Sequence, residues 1–267
     1  MKALYGNHPY ALDDGGEPET VGALKRDDLQ AFYQQHYGAK GAVIAMIGDM
    51  TREEASQIAE RLTAKLPAVE AQPALPAVTF PQRAVDERIQ HPATQSHILL
   101  GYPGVKRGDP DYFPLYVGNY ILGGGGFVSR LTEEVREKRG LVYSVYSYFM
   151  PMADLGPFQI GLQTKREQSA EAMKVVEQTL DKFMQGGVTE GELIAAKQNI
   201  TGGFPLRLDS NSKILDYLAV IGFYKLPLTY LEDFNKNVNN VTTAQIKDAF
   251  NRRIDTHKLV TVVVGGN

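Results

Sequence analysis

The chain has 267 residues, of which 43% are hydrophobic and 22% are charged, and its formal net charge at pH 7 is −3. These values are typical of a folded globular protein, and the small negative charge offers no basic surface for nucleic acid. The absence of cysteine excludes disulfides, thiolate metal ligands and a cysteine nucleophile. No apolar run approaches the roughly 20 residues that a membrane-spanning helix needs, so we expect no membrane insertion.

The beginning of the chain predicts a helix, a strand and a second helix. The first helix covers 29–37 and carries an apolar stripe, and a buried strand over 42–48 ends in glycine. The second helix is predicted over 51–66, because Thr51 and Glu54 form a capping box and a proline follows. The residues before the first helix contain no apolar core segment, so they do not resemble a signal peptide.

A proline-rich stretch separates this first part from the rest of the chain. Residues 67–81 contain four prolines and several alanines, and they show neither a helical nor a strand period. Such a composition is typical of an extended, semi-rigid linker. We therefore divide the chain into a first part over 1–66, a linker over 67–84 and a domain over 85–267.

The remainder of the chain predicts strands in pairs and helices in blocks. Strands are predicted over 83–90, 95–102, 141–149, 156–164 and 259–264. Helices are predicted over 111–122, 129–139, 169–184, 189–200, 212–223 and 242–253. This arrangement is typical of an α+β domain in which helices are layered on a sheet.

Part of the sequence repeats at an offset of 217 residues. Residues 21–48 align without a gap on 238–265, so that Tyr33 meets Phe250 and two strands ending in glycine coincide. Two unrelated helix–strand units could align in the same way by chance. If the repeat is real, 1–66 is the remnant of a preceding domain that begins roughly 130 residues before Met1. Any signal peptide would then also lie before Met1.

The histidines do not predict a metal site in this chain. Zinc peptidases use H-E-x-x-H or H-x-x-E-H, which place two imidazoles on one helix face. None of the five histidines belongs to such a pair, and the better interpretation is that they face solvent or pack on strands: His8, His36, His91, His97 and His257.

Four consecutive glycines, Gly123, Gly124, Gly125 and Gly126, precede a predicted helix. Glycines before a helix can hold a phosphate, but this run lacks the Lys-Ser/Thr pair of a P-loop and follows no strand. Nucleotide binding is therefore not predicted. The run is either a flexible corner between two helices or a mobile lip over a substrate groove.

Arg136 and Tyr143 could meet at one corner of the fold. Arg136 lies in the last turns of a predicted helix, Tyr143 lies early in the next strand, and Gly140 stands between them as a helix C-cap. A guanidinium and a phenol are donors suited to a peptide carbonyl or carboxylate. The alternative is structural, because cations near a helix C-terminus interact with its dipole and strand tyrosines usually pack.

The stretch 122–144 resembles the signature of the second domain of pitrilysin/insulinase-family zinc peptidases. It contains LGGG, SRL and REKRGLVYS, with Arg136 and Tyr143 in an Arg-x6-Tyr spacing. The HPYA motif at His8, the 29–37 helix and the VIAMIGDM strand resemble the end of the family's first domain. The family includes insulin-degrading enzyme and mitochondrial processing peptidase. The resemblance to it covers essentially the whole chain.

This resemblance implies duplicated α+β domains, with mixed or antiparallel sheets and helices packed on them. In the family the first domain holds an H-x-x-E-H zinc site, and the second holds the substrate near the scissile bond. By position, Arg136 and Tyr143 are the substrate-binding residues: Tyr143 would bond the scissile carbonyl or its oxyanion, and Arg136 would hold Tyr143 and the peptide. The expected partners are a peptide substrate and a zinc-bearing domain or subunit of the same family, and we expect a dimer.

The sequence departs from the family pattern because no zinc motif occurs in its 267 residues. We therefore expect no catalytic residue and no zinc here, and no activity from this chain alone. The motif lies either in an upstream part of the same protein or in a partner subunit. A non-catalytic scaffold and a plain peptide-binding module are the alternatives to an enzyme component. A bacterial periplasmic location follows from the resemblance only, and the cytoplasm fits the sequence too.

Overall fold

The computed structural model describes residues 1–69 and 73–265, and the chain divides into two compact units. The larger unit contains Met1–Ala11, Ala77–Gly202 and the chain from Glu232 onward. The smaller unit contains Leu12–Pro76 and Gly203–Leu231. In the described part of the chain, no helix combines the length and apolarity that crossing a membrane requires.

A five-stranded mixed sheet forms the centre of the larger unit. Its strands are β1 (Val85–Ile89), β2 (Gln95–Val105), β3 (Val142–Phe149), β4 (Gly156–Lys165) and β5 (Val260–Val264). They lie in the order β1-β5-β2-β4-β3, with β1 parallel to β5 and every other neighbouring pair antiparallel. The two edges of this sheet are therefore β1 and β3.

The side-chain alternation along β2 produces one buried and one exposed face. Ser96, Ile98 and Leu100 are buried, and the residues between them are exposed. Successive side chains of a strand point to opposite faces, so one face of β2 enters the core. β4 is buried at most positions, which fits its place between β2 and β3.

Helices of the larger unit pack on the buried face of this sheet. In chain order the helices are α1 (Lys2–Tyr5), α2 (Pro18–Ala23), α3 (Arg26–His36), α4 (Arg52–Thr63), α5 (Tyr112–Asn119), α6 (Ser169–Gly186), α7 (Glu190–Gly203), α8 (Asn211–Phe223), α9 (Tyr230–Asn240) and α10 (Thr243–Arg253). The rings of Phe158 on β4 and Phe183 on α6 both contact Phe250 on α10, with centroids 6.4 and 4.8 Å away. The predicted α+β class with helices packed on a sheet is confirmed.

The predicted strand over 42–48 is wrong. These residues form no ladder with the sheet, and they are exposed or half-buried. A strand needs the backbone of a neighbouring strand for its N–H and C=O groups. All five strands of the described residues belong to the larger unit, whereas 42–48 belongs to the smaller one, which is built from α2, α3, α4 and α8.

The helical half of the repeat is confirmed. The bounds of α3 and α10 differ by 217 positions at both ends, which is the offset found in the sequence. The two copies differ in burial, because Tyr33 is 43% exposed on α3 and its counterpart Phe250 is 1% exposed on α10. The strand half of the repeat is present only as β5.

Most predicted element positions are close to the observed ones, and both capping boxes are present. Thr51 bonds with Glu54 before α4, and Thr189 bonds with Glu192 before α7. The sequence did not predict α1, α2 or α9. Residues 70–72 of the predicted linker, and 266–267 at the end of the predicted domain, lie outside the described residues. The proposed domain bounds stay predictions.

Candidate functional site

Arg136 lies in a π-helical turn, Thr132–Glu137, immediately before β3. The N–H of Lys138 donates to the carbonyl of Glu133, five residues back, at 3.0 Å. The chain then reverses at Gly140, which has a positive φ of 62° and whose N–H bonds the carbonyl of Arg136 at 2.8 Å. Gly140 therefore has the C-cap role expected from the sequence. Wide π turns are frequent at functional sites, where they change the direction of a side chain.

Tyr143 lies on a β-bulge at the start of edge strand β3. Val142 pairs with Thr164 and Ser144 pairs with Gln163, so Tyr143 is an extra residue without a partner in the ladder. Bulges occur next to active sites because the extra residue re-aims a side chain. The Tyr143 side chain is 82% exposed, which is unusual for a tyrosine in a sheet.

The structure brings Arg136 and Tyr143 together, as the sequence predicted. The guanidinium carbon of Arg136 lies 5.5 Å from the ring centroid of Tyr143 and 4.8 Å from that of Phe127. Its Nε atom forms an ion pair with Glu137 at 3.5 Å. The cation therefore contacts both rings, and stacking of this kind fixes an arginine while its in-plane N–H groups stay available.

The four glycines have different roles in the structure. Gly123 packs against β3 so closely that a Cβ there would overlap Ser147 and come 2.8 Å from Leu131. A Cβ on Gly124 or Gly125 would meet the preceding helical turn at 2.7 or 2.6 Å. Gly126 has a positive φ of 62° and open space around it. The corner is therefore tightly packed at its start, and its mobility as a lip stays a prediction.

A buried polar pair attaches this corner to β3. The amide of Asn119 donates to the carbonyl of Ser147 at 2.9 Å, and the hydroxyl of Ser147 donates back to Asn119 at 2.7 Å. Both residues are buried, so breaking either bond would leave a polar group with neither a protein partner nor water to bond. The pair fixes the end of α5, and hence the glycine run, to the strand that carries Tyr143.

An arginine–glutamate pair anchors the start of the segment that carries Arg136. Arg130 makes two bonds of 2.7 Å to the carboxylate of Glu192, and it lies over the ring of Phe183 at 5.3 Å. The bonds from Arg130, together with those from Thr189, lower the pKa of Glu192 to about 2 despite partial burial. The pair joins the Arg136 segment to the first turn of α7.

The described residues provide no metal site. Within 1–69 and 73–265, no group of three or more His, Asp or Glu side chains is placed to hold a metal ion. A zinc ion therefore has no fitting ligand set in this part of the chain. The donors available at the Arg136–Tyr143 corner suit a carbonyl or carboxylate oxygen instead.

Sequence reasoning missed Phe127, Ser147 and Arg130 as parts of this site. Phe127 follows the glycine run without any periodic pattern, so its stacking on Arg136 depends on the tertiary fold. Arg130 and Glu192 are 62 positions apart, and no local spacing signals their pairing. The only sequence signal for Ser147 is its alternation with aromatic residues along β3.

Comparisons with known proteins match the region around this site to one protein family. The family model for the peptidase M16 inactive domain matches residues 23–200. An uncharacterized zinc protease of Streptomyces coelicolor is 32% identical over 222 residues, which cover 81% of this chain and 48% of that protein. The uncharacterized zinc protease YmxG of Bacillus subtilis is 30% identical over 80% of this chain and 51% of its own length. The chain spans about half the length of these curated relatives.

A solved structure and a further relative agree with this match. The crystal structure of a peptidase M16 inactive domain from Pseudomonas fluorescens has a TM-score of 0.94 and 40% identity, covering 100% of this chain and 64% of that one. The non-peptidase homolog YmxG of Helicobacter pylori is 26% identical over 98% of this chain and 60% of its own length. The likeness therefore extends over both compact units.

Proposed function

Because this chain belongs to the peptidase M16 family and matches its inactive domain, we propose that it is the substrate-binding half of a zinc metalloendopeptidase. The substrates are peptides or unfolded segments. The zinc is held by a companion domain or a partner subunit, since the described residues offer no ligand set for it. The matched part makes up only 48% and 51% of the relatives named zinc proteases, which leaves room for such a domain in them.

The observation that carries this proposal is the contact between Arg136 and Tyr143. An exposed phenol on a bulge and a stacked guanidinium form a donor pair at the edge of the sheet. Among the described residues, the Tyr143 hydroxyl makes no hydrogen bond. A purely structural tyrosine would be expected to bury its ring or to bond its hydroxyl. Its exposure therefore favours a ligand as the missing partner.

We assign separate roles to the two side chains. The Tyr143 hydroxyl donates to the scissile carbonyl oxygen and to the oxyanion that develops on it, where a preorganised donor stabilises the transition state. Arg136 supports the ring of Tyr143 through stacking and donates to a neighbouring carbonyl of the peptide. The companion zinc would supply the activated water.

Replacing Tyr143 with Phe or Arg136 with Ala in the complete protein tests this proposal. We expect kcat/KM for an unstructured peptide to fall about 10²-fold or more in each variant, as for the loss of an oxyanion donor. Tyr146→Phe is the matched control, because Tyr146 lies on the same strand and is stacked with Tyr148 at 6.0 Å. Normal cleavage in both site variants would show that Arg136 and Tyr143 do not bind the substrate.

The second candidate is a non-catalytic partner or a peptide-binding module. It is supported by the Helicobacter pylori relative, which is named a non-peptidase homolog and matches nearly the whole chain. This candidate predicts peptide binding or a stable complex without zinc-dependent turnover under any pairing. A chelator-sensitive cleavage assay on the complete protein, with and without candidate partners, distinguishes the two functions.

We also propose that 1–66 is the end of a preceding domain and that 85–267 is the substrate-binding domain. The support is the apolar face of α3: Leu29, Phe32 and Tyr33 are exposed there, whereas the same face of α10 is buried in the sheet core. Exposed apolar faces of this kind are usually covered by another surface. Hydrogen exchange measures this directly: α3 amides should exchange more slowly in the complete protein than in this chain.

A further inference from the structure

Phe127 is a highly exposed aromatic residue next to the Arg136–Tyr143 pair. The sequence did not predict its place there. Phe127 is 71% exposed, in a 3₁₀ turn over Gly126–Val128. Ser129 fixes this turn, because its N–H and its hydroxyl both donate to the carbonyl of Gly126, at 3.1 and 2.8 Å. Ser129 itself is fully buried. The ring is therefore held at the surface by an ordered turn.

The guanidinium of Arg136 contacts the Phe127 ring, most of which stays exposed. The guanidinium carbon of Arg136 lies 4.8 Å from its centroid, and the high exposure leaves the rest of the ring in contact with water. A large apolar surface that remains exposed beside polar donors is typical of a binding site. The same arginine thus contacts both the exposed phenol of Tyr143 and the exposed ring of Phe127.

The distances place Phe127 within reach of a peptide held by the donor pair. An extended peptide advances about 3.3–3.6 Å per residue. The Phe127 ring lies 4.8 Å from the guanidinium of Arg136. If Arg136 binds a peptide carbonyl, the side chain of that residue or of the next one can therefore cover the ring. An apolar or aromatic side chain gains most from this position, because it removes its own surface and that of Phe127 from water.

We propose that Phe127 forms a subsite for an apolar or aromatic side chain of the peptide, within about two residues of the bond that Tyr143 contacts. This inference rests on the proposed function, since it needs a peptide at Arg136 and Tyr143. It adds a preference to that function. The donor pair recognises backbone oxygens that every peptide has, whereas Phe127 selects among side chains.

The test compares peptides that differ at one residue. Quenched-fluorescence peptides carry either Phe or Ser at each of the two positions on either side of the cleaved bond, and kcat/KM is measured with the complete protein. We expect a preference for Phe of roughly 10- to 100-fold at one position, the range that one apolar contact supplies. Phe127→Ala should reduce this ratio to about 1–3, and Phe127→Leu should keep most of it.

A binding measurement and a control variant make the result decisive. The same ratio, measured as Kd by fluorescence anisotropy with the zinc-free protein, needs no turnover. Ile194→Ala on α7 is the control, because it also removes an exposed apolar side chain and should leave the ratio at the wild-type value. An unchanged ratio in Phe127→Ala, or an equal loss for both peptides, would refute the subsite and leave Phe127 as a support for Arg136.

The outcomes separate this inference from the proposed function. If Tyr143→Phe and Arg136→Ala weaken the cleavage and binding of both peptides while Phe127→Ala leaves the ratio unchanged, only the subsite is wrong. If Tyr143→Phe and Arg136→Ala have no effect on either peptide, the proposed function fails and the subsite fails with it. A loss of association with the companion domain or subunit in Phe127→Ala would assign the ring to that interface instead.

Discussion

Replacing Gly123 with Ala tests how tightly the glycine corner is packed on β3. A Cβ at this position would overlap the hydroxyl of Ser147 and lie 2.7 Å from the backbone nitrogen of Ser147 and 2.8 Å from Leu131. The hydroxyl and the leucine can rotate, but the backbone nitrogen cannot move without the strand. Overpacking of this kind costs about 1–3 kcal/mol. Alanine recovers about 1 kcal/mol relative to glycine in a helical turn, so we expect a net loss of up to about 2 kcal/mol.

The same substitution should lower activity by more than its effect on stability explains. Relief of the overlap moves the corner away from β3, and β3 carries Tyr143 while Leu131 precedes the turn that carries Arg136. A displacement of about 1 Å at a catalytic geometry can cost up to 10²-fold in rate. We therefore expect kcat/KM of the complete protein to fall at least about 10-fold under conditions where the variant is fully folded.

Urea unfolding and peptide cleavage measure the two effects separately. Gly202→Ala is the matched control, because Gly202 is helical in α7 and no atom lies within 4 Å of its added Cβ. The control should be neutral or slightly stabilising, with normal cleavage. If Gly123→Ala is as stable and as active as the wild type, the corner is not held tightly against β3.

Two charge pairs give further predictions. Glu192→Gln should destabilise the protein by about 1–2 kcal/mol at pH 7, less than the full shift of the pKa from 4.5 to about 2 implies, because solvent screens a pair that is 31% and 22% exposed. Since that pKa is lowered by folding, the contribution is complete above pH 4.5 and disappears as the pH falls towards 2, so urea unfolding at pH 7 and pH 3 should show a shrinking difference. Arg253→Ala leaves the buried carboxylates of Asp109 and Asp111 with fewer partners, and we expect a loss of about 2–4 kcal/mol in the same assay. An Arg253 variant as stable as the wild type would mean that Asp109 is solvated.

Periodicity and capping were sufficient to predict most elements of the larger unit. The alternation along β2 and the apolar stripe of α6 depend on local sequence, and both appear in the structure. The meeting of Arg136 and Tyr143 was also predictable, because Gly140 reverses the chain between a helical turn and a strand. These features require only contacts between residues that are close in sequence.

The features that the sequence did not predict depend on distant partners. The π turn before β3 and the bulge at Tyr143 are small departures from regular hydrogen bonding that tertiary packing imposes. The stacking of Phe127 on Arg136 needs the folded corner. Residues 42–48 have the composition of a strand, but a strand also needs a neighbour, and composition does not supply one.

The position of β5 has a consequence for the order of folding. β2, β3 and β4 all lie within residues 95–165, and their antiparallel pairs can form as soon as this stretch leaves the ribosome. β1 has no neighbour until β5 is synthesised, because β5 lies between β1 and β2 and pairs with a residue 175 positions earlier in the chain. Closing so long a loop is a slow, late step. Until then β2 presents an open edge, at which a wrong strand can pair.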